Sequence, residues 1–242
     1  MKSISFNDEM VRAIIDGRKT ETRRPLKPQP EDPPEGWYAD AYNHSDRWCF
    51  WGPRGTKDSG RCTLPLFKFP FGQVGDRLWV RETFCLEHQV EGDQPPPFDD
   101  GRPILYLRDG IECAKEDAEI WIQPHYRATD PTPELSYYGS EEEPTVRWKP
   151  PLHMPRWASR ITLEITDIRV ERVQEITEED ARAEGIVDGG CLNCGRNEPC
   201  GCLNPKPDAR DAFANLWVRM YKGLGWYANP WVWVIGFGRV ER

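Results

Sequence analysis

The sequence predicts an α+β protein in which a mixed β-barrel or curled sheet carries helices packed on its ends. Several segments alternate apolar and polar residues, as half-buried strands do, whereas fewer segments have the spacing of an amphipathic helix. Strands therefore outnumber helices, and their order implies mixed pairing. A chain of 242 residues can bury a full core as one elaborated domain or two small ones, and we favour a single domain, residues 1–242.

The first predicted elements are a short strand and a helix that begins near Asn7 and ends at Gly17. Apolar residues fall on one face of this helix: Met10, Val11, Ile14 and Ile15. Further along, residues 77–83 predict a half-buried strand that opens after a turn at Gly75 and Asp76.

The C-terminal third predicts two strands and two helices. A long strand runs from Ile161, and a short helix with Thr177 as its N-cap ends at Gly185. Residues 208–221 show the clearest helical spacing in the chain. Residues 231–240 are apolar on both faces, which predicts a central strand.

Two stretches rich in proline, residues 26–71 and 86–154, predict insertions into this domain. The first also holds scattered tryptophans, which indicates an irregular segment pinned by aromatic residues and not a second core. The second is acidic, with short strands expected near 104–107 and 120–122. The predicted core is what remains: residues 3–25, 72–85 and 155–242.

The charge and the N-terminus exclude two classes of protein. A net charge of −8 argues against a protein that coats nucleic acid non-specifically, so any such contact needs a local basic patch. The N-terminus lacks the apolar region of a signal peptide, and no run approaches the roughly 18 apolar residues of a membrane span. We therefore expect a soluble, cytoplasmic protein with no membrane partner.

Residues 17–24, here called the basic segment, hold four cations and two hydroxyls directly after the first helix. Such a segment presents donors and a candidate nucleophile to an anionic or carbonyl-bearing ligand. The candidate residues are Arg18, Lys19, Thr20, Thr22, Arg23 and Arg24. The alternative is a solvated basic turn that pairs with the acidic insertions.

A cysteine-rich loop, residues 189–206, carries the second chemical signal. Its four thiols are Cys191, Cys194, Cys200 and Cys202. They could hold one zinc ion tetrahedrally, and four thiolates would leave no open position, so the metal would be structural. Reduced thiols or disulfides remain the alternatives at this point. No organic cofactor is expected.

The order of several motifs resembles the ASCH domain of the PUA-like β-barrel superfamily, in the longer form common in phages and prophages. The motifs, followed by a closing apolar strand, are Gly17-Arg18-Lys19-Thr20-x-Thr22, Gly75-Asp76-x-Leu78-x-Val80, the strand from Ile161, and Thr177-Glu178-x-x-Ala181-x-x-Glu184-Gly185.

The resemblance implies a basic cleft that binds RNA or a modified nucleoside. One small bacterial branch of the family is an N4-acetylcytidine amidohydrolase. Matched to it, Lys19 would be the activator, Thr22 the nucleophile and Glu184 the acid or base, with Arg24 matching a nearby arginine. This chain is much longer than that branch, so the substrate does not transfer with the three residues.

The chemistry can also be judged from the residues. A threonine hydroxyl needs a base within hydrogen-bond reach, and a lysine can act as that base only if burial or nearby cations lower its pKa. A glutamate in the last turn of a helix faces carbonyl ends that disfavour its charge, which suits a general acid. The alternatives are a non-catalytic RNA-binding module and a phage structural or interaction protein.

Overall fold

The computed structural model confirms an α+β protein with mixed sheets and a few helices. It describes residues 1–30, 36–39, 47–51, 63–90, 103–108, 111–115, 118, 120–133, 146–187, 191, 194, 201–203, 209–223 and 225–240. The described strands are β1 (Lys2–Ser5), β2 (Glu21–Pro25), β3 (Gly36–Ala39), β4 (Arg47–Trp51), β5 (Thr63–Lys68), β6 (Arg77–Arg81), β7 (Phe84–Val90), β8 (Leu105–Arg108), β9 (Ile111–Glu112), β10 (Ile120–Tyr126), β11 (Thr162–Arg172) and β12 (Trp231–Val240). The α-helices are α1 (Asp8–Ile15), α2 (Glu178–Ala183) and α3 (Ala209–Met220).

The chain divides into two compact units. The first takes its described residues from 1–15, 78–163 and 239–242, and the second from 16–77 and 164–238.

In the first unit, β1 pairs in parallel with β6, so that Ile4 lies opposite Val80. Helix α1 follows, and the Asn7 side chain accepts a hydrogen bond from the Met10 amide at 2.9 Å, which caps the helix. The predicted apolar face is confirmed for three of its four residues, since Met10, Val11 and Ile14 are buried whereas Ile15 is half-buried. Gly17 follows with a φ of 74°, as a helix-ending glycine does.

Both stretches predicted as insertions contain sheets. Strands β7, β10, β8 and β9 form a four-stranded antiparallel sheet, and β3, β4 and β5 form a three-stranded one. The prediction that residues 26–71 are irregular is therefore wrong for the described strands. Those strands are four to six residues long, too short for alternation to stand out among the turn residues between them.

In the second unit, β12 lies between β11 and β2. Its residues 232–237 are buried, which confirms the predicted central strand. Helices α2 and α3 pack against it in one apolar cluster: Val173, Ile176, Ala181, Ala209, Phe213, Trp217, Val232 and Val234. Thr177 caps α2, since its side chain accepts the Asp180 amide at 3.1 Å, and Gly185 follows with a φ of 93°.

The sheets formed by the described strands are open, and a closed barrel is not found among them. None of the described helices is both long and apolar enough to cross a membrane.

Candidate functional site

The Lys19 side chain is fully buried in the second unit and contacts three acceptors. Its Nζ donates to Glu184 Oε2 at 2.6 Å, to the Glu184 carbonyl at 2.8 Å and to the Glu21 carbonyl at 2.8 Å. The side chains of Lys19 and Glu184 are 0% and 2% exposed. Two of the residues that the motif selected, 165 positions apart, therefore form one buried ion pair, here called the Lys19–Glu184 pair.

Two effects oppose each other at Lys19. Burial lowers the pKa of its ammonium group, whereas the Glu184 carboxylate acts in the opposite direction. An ammonium has three N–H donors, but a neutral amine has two. Because three acceptors surround Nζ, the charged form satisfies all of these contacts and the neutral form does not.

Glu184 also completes the edge of β2, the last strand of its sheet. Its Oε1 accepts the Arg23 backbone N–H at 2.5 Å, while Lys19 Nζ takes the Glu21 carbonyl two residues earlier. A free strand edge exposes such groups to pairing with other chains. The Lys19–Glu184 pair therefore occupies the place that a neighbouring strand would take.

The Arg23 guanidinium lies inside an ionic network instead of at the surface. Its side chain is 0% exposed and lies 3.1 Å from Asp180, 3.3 Å from Glu171 and 3.4 Å from Glu21. Arg169 joins the same network through Glu21 at 2.7 Å and Glu171 at 2.5 Å. In this arrangement the Arg23 guanidinium is paired with carboxylates and does not face solvent. A phosphate group could not reach it without displacing them.

Three of the six candidate residues in the basic segment keep some exposure. Arg18 forms an exposed ion pair with Asp16 at 2.8 Å. Thr20 is exposed, and its amide donates to the Ala183 carbonyl at 2.8 Å. Arg24 is half-buried and donates to the Tyr221 hydroxyl at 3.2 Å. Among the six candidate residues, these three are the ones that a ligand can reach directly.

Thr22 is 1% exposed and lies opposite Ile235 in the pairing of β2 with β12. Side chains alternate along a strand, so the Thr22 hydroxyl is on the face opposite to Arg23. In the described part of the chain, no hydrogen bond joins it to Lys19 or Glu184. Among the described residues, the structure therefore joins the predicted base Lys19 to Glu184, but the hydrogen bond between the predicted nucleophile and its base is not formed.

Three cysteines of the cysteine-rich loop come together. The sulfur atoms of Cys191, Cys194 and Cys202 all lie within 4.8 Å of one another. The Cys194 amide donates to the Cys191 carbonyl at 3.1 Å, which links the first two cysteines through their backbones. Cys200 lies outside the described residues. The three thiols can hold a metal ion.

Sequence reasoning missed a buried polar face on the four-stranded sheet of the first unit. Cys85 and Glu87 on β7 lie opposite His125 and Gln123 on β10, and all four are buried. Glu87 Oε2 is 2.7 Å from His125 Nε2. Burial raises the pKa of the Cys85 thiol to about 11, so it is not a nucleophile near neutral pH. Polar residues at alternate positions of β10 were the available signal.

Comparison of the chain with protein-family models, curated proteins and solved structures found no match. The resemblance to the ASCH domain therefore remains a prediction from its motifs.

Proposed function

We propose that the chain is an ASCH-type, PUA-like domain that binds RNA or a modified nucleoside beside the Lys19–Glu184 pair. The observation that supports this is the pair itself. Position alone makes Glu184 a surface residue at a helix end, yet its carboxylate is buried 2.6 Å from Lys19, which the family resemblance selects together with it. A buried ion pair is costly to desolvate. Groups whose pKa is perturbed by burial and a charged partner, as that of Lys19 is, cluster at functional sites.

The exposed members of the basic segment supply the contacts for the ligand. Arg18 can leave Asp16 at little cost, because an ion pair between two exposed side chains contributes about 0–1 kcal/mol. Its guanidinium then binds a phosphate through two parallel hydrogen bonds. Arg24 and Thr20 offer further donors in the same segment. The binding surface is thus small and local, consistent with the net charge of −8.

Hydrolysis of an N-acyl amide on a pyrimidine nucleoside is the catalytic form of this proposal. The 2.6 Å contact lets a proton move from Lys19 Nζ to Glu184 Oε2 when the ligand excludes water, since burial lowers the pKa of the Lys19 ammonium group. The neutral amine then takes the Thr22 proton as Oγ1 attacks the acyl carbon. The C–N bond breaks, Glu184 protonates the leaving amine, and water hydrolyses the acyl-threonine.

Incubation with N4-acetylcytidine tests both forms, with deacetylation followed by chromatography and binding by calorimetry. Thr22→Val removes the hydroxyl but keeps the branched shape that suits a strand, and Thr22→Ser keeps the hydroxyl. Turnover that is lost in Thr22→Val and retained in Thr22→Ser supports the hydrolase. Binding without turnover, unchanged in Thr22→Val, supports the non-catalytic module. If the protein shows no binding and no turnover, on this nucleoside or on RNA, the proposal is refuted. That result would favour a phage structural or interaction protein.

We also propose that the cysteine-rich loop holds a structural zinc ion, with Cys200 as the fourth ligand. The support is the cluster of three sulfur atoms, of which Cys191 is buried and Cys194 is exposed. Four thiolates complete a tetrahedral site and leave no position for water, so the metal would order the loop without taking part in hydrolysis. No organic cofactor is required. Reduced thiolates and a nucleoside or RNA ligand both suit a cytoplasmic protein.

A further inference from the structure

Tyr227 is exposed to solvent on a hydrogen-bonded turn. It is 93% exposed and lies in a single 3-10 turn that spans Trp226–Ala228. The Ala228 and Asn229 amides close the turn on the Gly225 and Trp226 carbonyls at 3.1 and 3.0 Å. Asn229 ends it with a φ of 44°, a left-handed conformation that asparagine tolerates better than most residues. Residues 225–229 are called the Tyr227 turn below.

Gln174, in the 3-10 helix Val173–Glu175 that follows β11, and Phe213 of α3 hold the Tyr227 turn in place. Gln174 Nε2 donates to the Trp226 carbonyl at 2.9 Å, and the Gln174 amide donates to Asn229 Oδ1 at 3.0 Å. The Trp226 ring packs edge-on against Phe213 of α3, with centroids 6.3 Å apart. The exposed ring therefore stands on a pre-organised backbone, which lowers the entropic cost of binding.

One guanidinium group contacts the Tyr227 turn directly, and a second contacts Gln174, which holds the turn. Arg172 donates to the Asn229 carbonyl at 2.9 Å and stacks 4.2 Å from the centroid of the Trp231 ring. Arg210 donates to the Gln174 carbonyl. Within the described residues neither forms an ion pair with a carboxylate, in contrast to Arg23. Glu175 is an exposed acid whose carboxylate accepts the backbone amide of Arg172 at 2.7 Å.

We propose that Tyr227, Arg172 and Arg210 form a binding surface for single-stranded RNA. Every base has a π-face that stacks on an exposed aromatic ring, and a guanidinium held flat against an indole binds phosphate with its geometry fixed. Tyr227 takes a base, and the two arginines take the phosphates on either side. The choice of RNA rests on the function proposed above, but the residues are separate from the Lys19–Glu184 pair and its neighbours.

Fluorescence anisotropy with a labelled oligouridine of about ten nucleotides, within the usual site sizes for single strands, tests the proposal. Tyr227→Ala is expected to weaken binding at least fivefold, because stacking contributes about 1–3 kcal/mol per base. Tyr227→Phe keeps the ring and should bind like the wild type. Arg210→Gln should reduce the slope of log affinity against log salt by about 0.7. Glu175→Gln, which removes the opposing charge, should strengthen binding.

Leu152→Ala is the control, because Leu152 is 72% exposed and belongs to the first unit. Equal binding by the wild type and Tyr227→Ala overturns the proposal. So does a wild type that binds no single-stranded RNA, which would leave a protein as the partner class for this surface. Turnover or binding of N4-acetylcytidine, measured in parallel on Tyr227→Ala, separates the two proposals. If the wild type neither binds nor hydrolyses N4-acetylcytidine, the binding of oligouridine through Tyr227 can still be measured. If Tyr227→Ala binds oligouridine as the wild type does, the nucleoside result at the Lys19–Glu184 pair still stands.

Discussion

Replacing Lys19 by methionine should destabilise the second unit far more than the same change one residue earlier. The substitution keeps the length of the side chain but leaves the Glu184 carboxylate buried without its 2.6 Å partner. It also leaves the Glu21 carbonyl without its donor. Arg23 Nη1, 3.7 Å from the other carboxylate oxygen, compensates only in part. Breaking a buried ion pair in this way costs about 3–5 kcal/mol.

That loss is measurable by thermal unfolding followed by circular dichroism. For a chain of this length each kcal/mol shifts Tm by about 2–4 °C, so Lys19→Met should lower Tm by about 6–20 °C. Arg18→Met is the matched control, because its ion pair with Asp16 is 41% and 52% exposed. Breaking such an exposed pair costs about 0–1 kcal/mol.

The double variant Lys19→Met, Glu184→Met sharpens the test. It removes both charges, so it should be more stable than Lys19→Met alone, although the Arg23 amide then lacks its acceptor. If Lys19→Met costs no more than Arg18→Met, the Lys19–Glu184 pair does not stabilise the edge of β2. The three hydrogen bonds of Lys19 Nζ would then contribute no more to stability than the exposed ion pair of Arg18 does.

Two further predictions concern acid stability and metal binding. Burial alone would raise the pKa of Asp180, but hydrogen bonds from Thr177 and the charge of Arg23 outweigh it and hold the pKa below 3.8. The folded pKa lies below the unfolded value, so this stability is present above pH 3.8 and is lost as the pH falls through the folded pKa. Urea unfolding between about pH 3 and 6 should therefore show a steeper acid loss for the wild type than for Asp180→Asn, and parallel curves would contradict this. Elemental analysis should find zinc in the purified protein, less of it in Cys194→Ser, and an unchanged amount in the control Cys85→Ser; protein without zinc would contradict the metal proposal.

The sequence predicts best those elements whose pattern is long. Helix α1 and strand β12 have enough apolar residues, on one face or on both, to reveal their period. The strands expected near residues 104–107 and 120–122 are present as β8 and β10. Strands β3, β4 and β5 were missed because they are only four to six residues long and lie among turn residues. The side chains that β7 and β10 bury on one face, such as Glu87 and His125, are polar, so a pattern based on hydrophobicity cannot show that the face is buried.

The candidate site was only partly predictable. The sequence shows that residues 17–24 are basic, but it does not show that Arg23 turns inward to meet Glu171 and Asp180. Arginine is mostly exposed in proteins, so its burial depends on acids brought from distant segments. The contact between Lys19 and Glu184 was accessible through a family resemblance alone, because its geometry arises only after α2 has packed beside β2.

The pairing of β2 with β12 has a consequence for how the protein emerges from the ribosome. Thr22 lies opposite Ile235, so β2 lacks the partner strand it has in the structure until β12, residues 231–240, has been synthesised. The other edge of β2 is also incomplete during synthesis, since the Arg23 amide has no acceptor until Glu184 has been made. Contacts of such sequence separation close slowly, and an unpaired strand is prone to pair with other chains. Newly made chains therefore carry an incomplete edge, and the interval before β12 appears is the period when a chaperone would matter most.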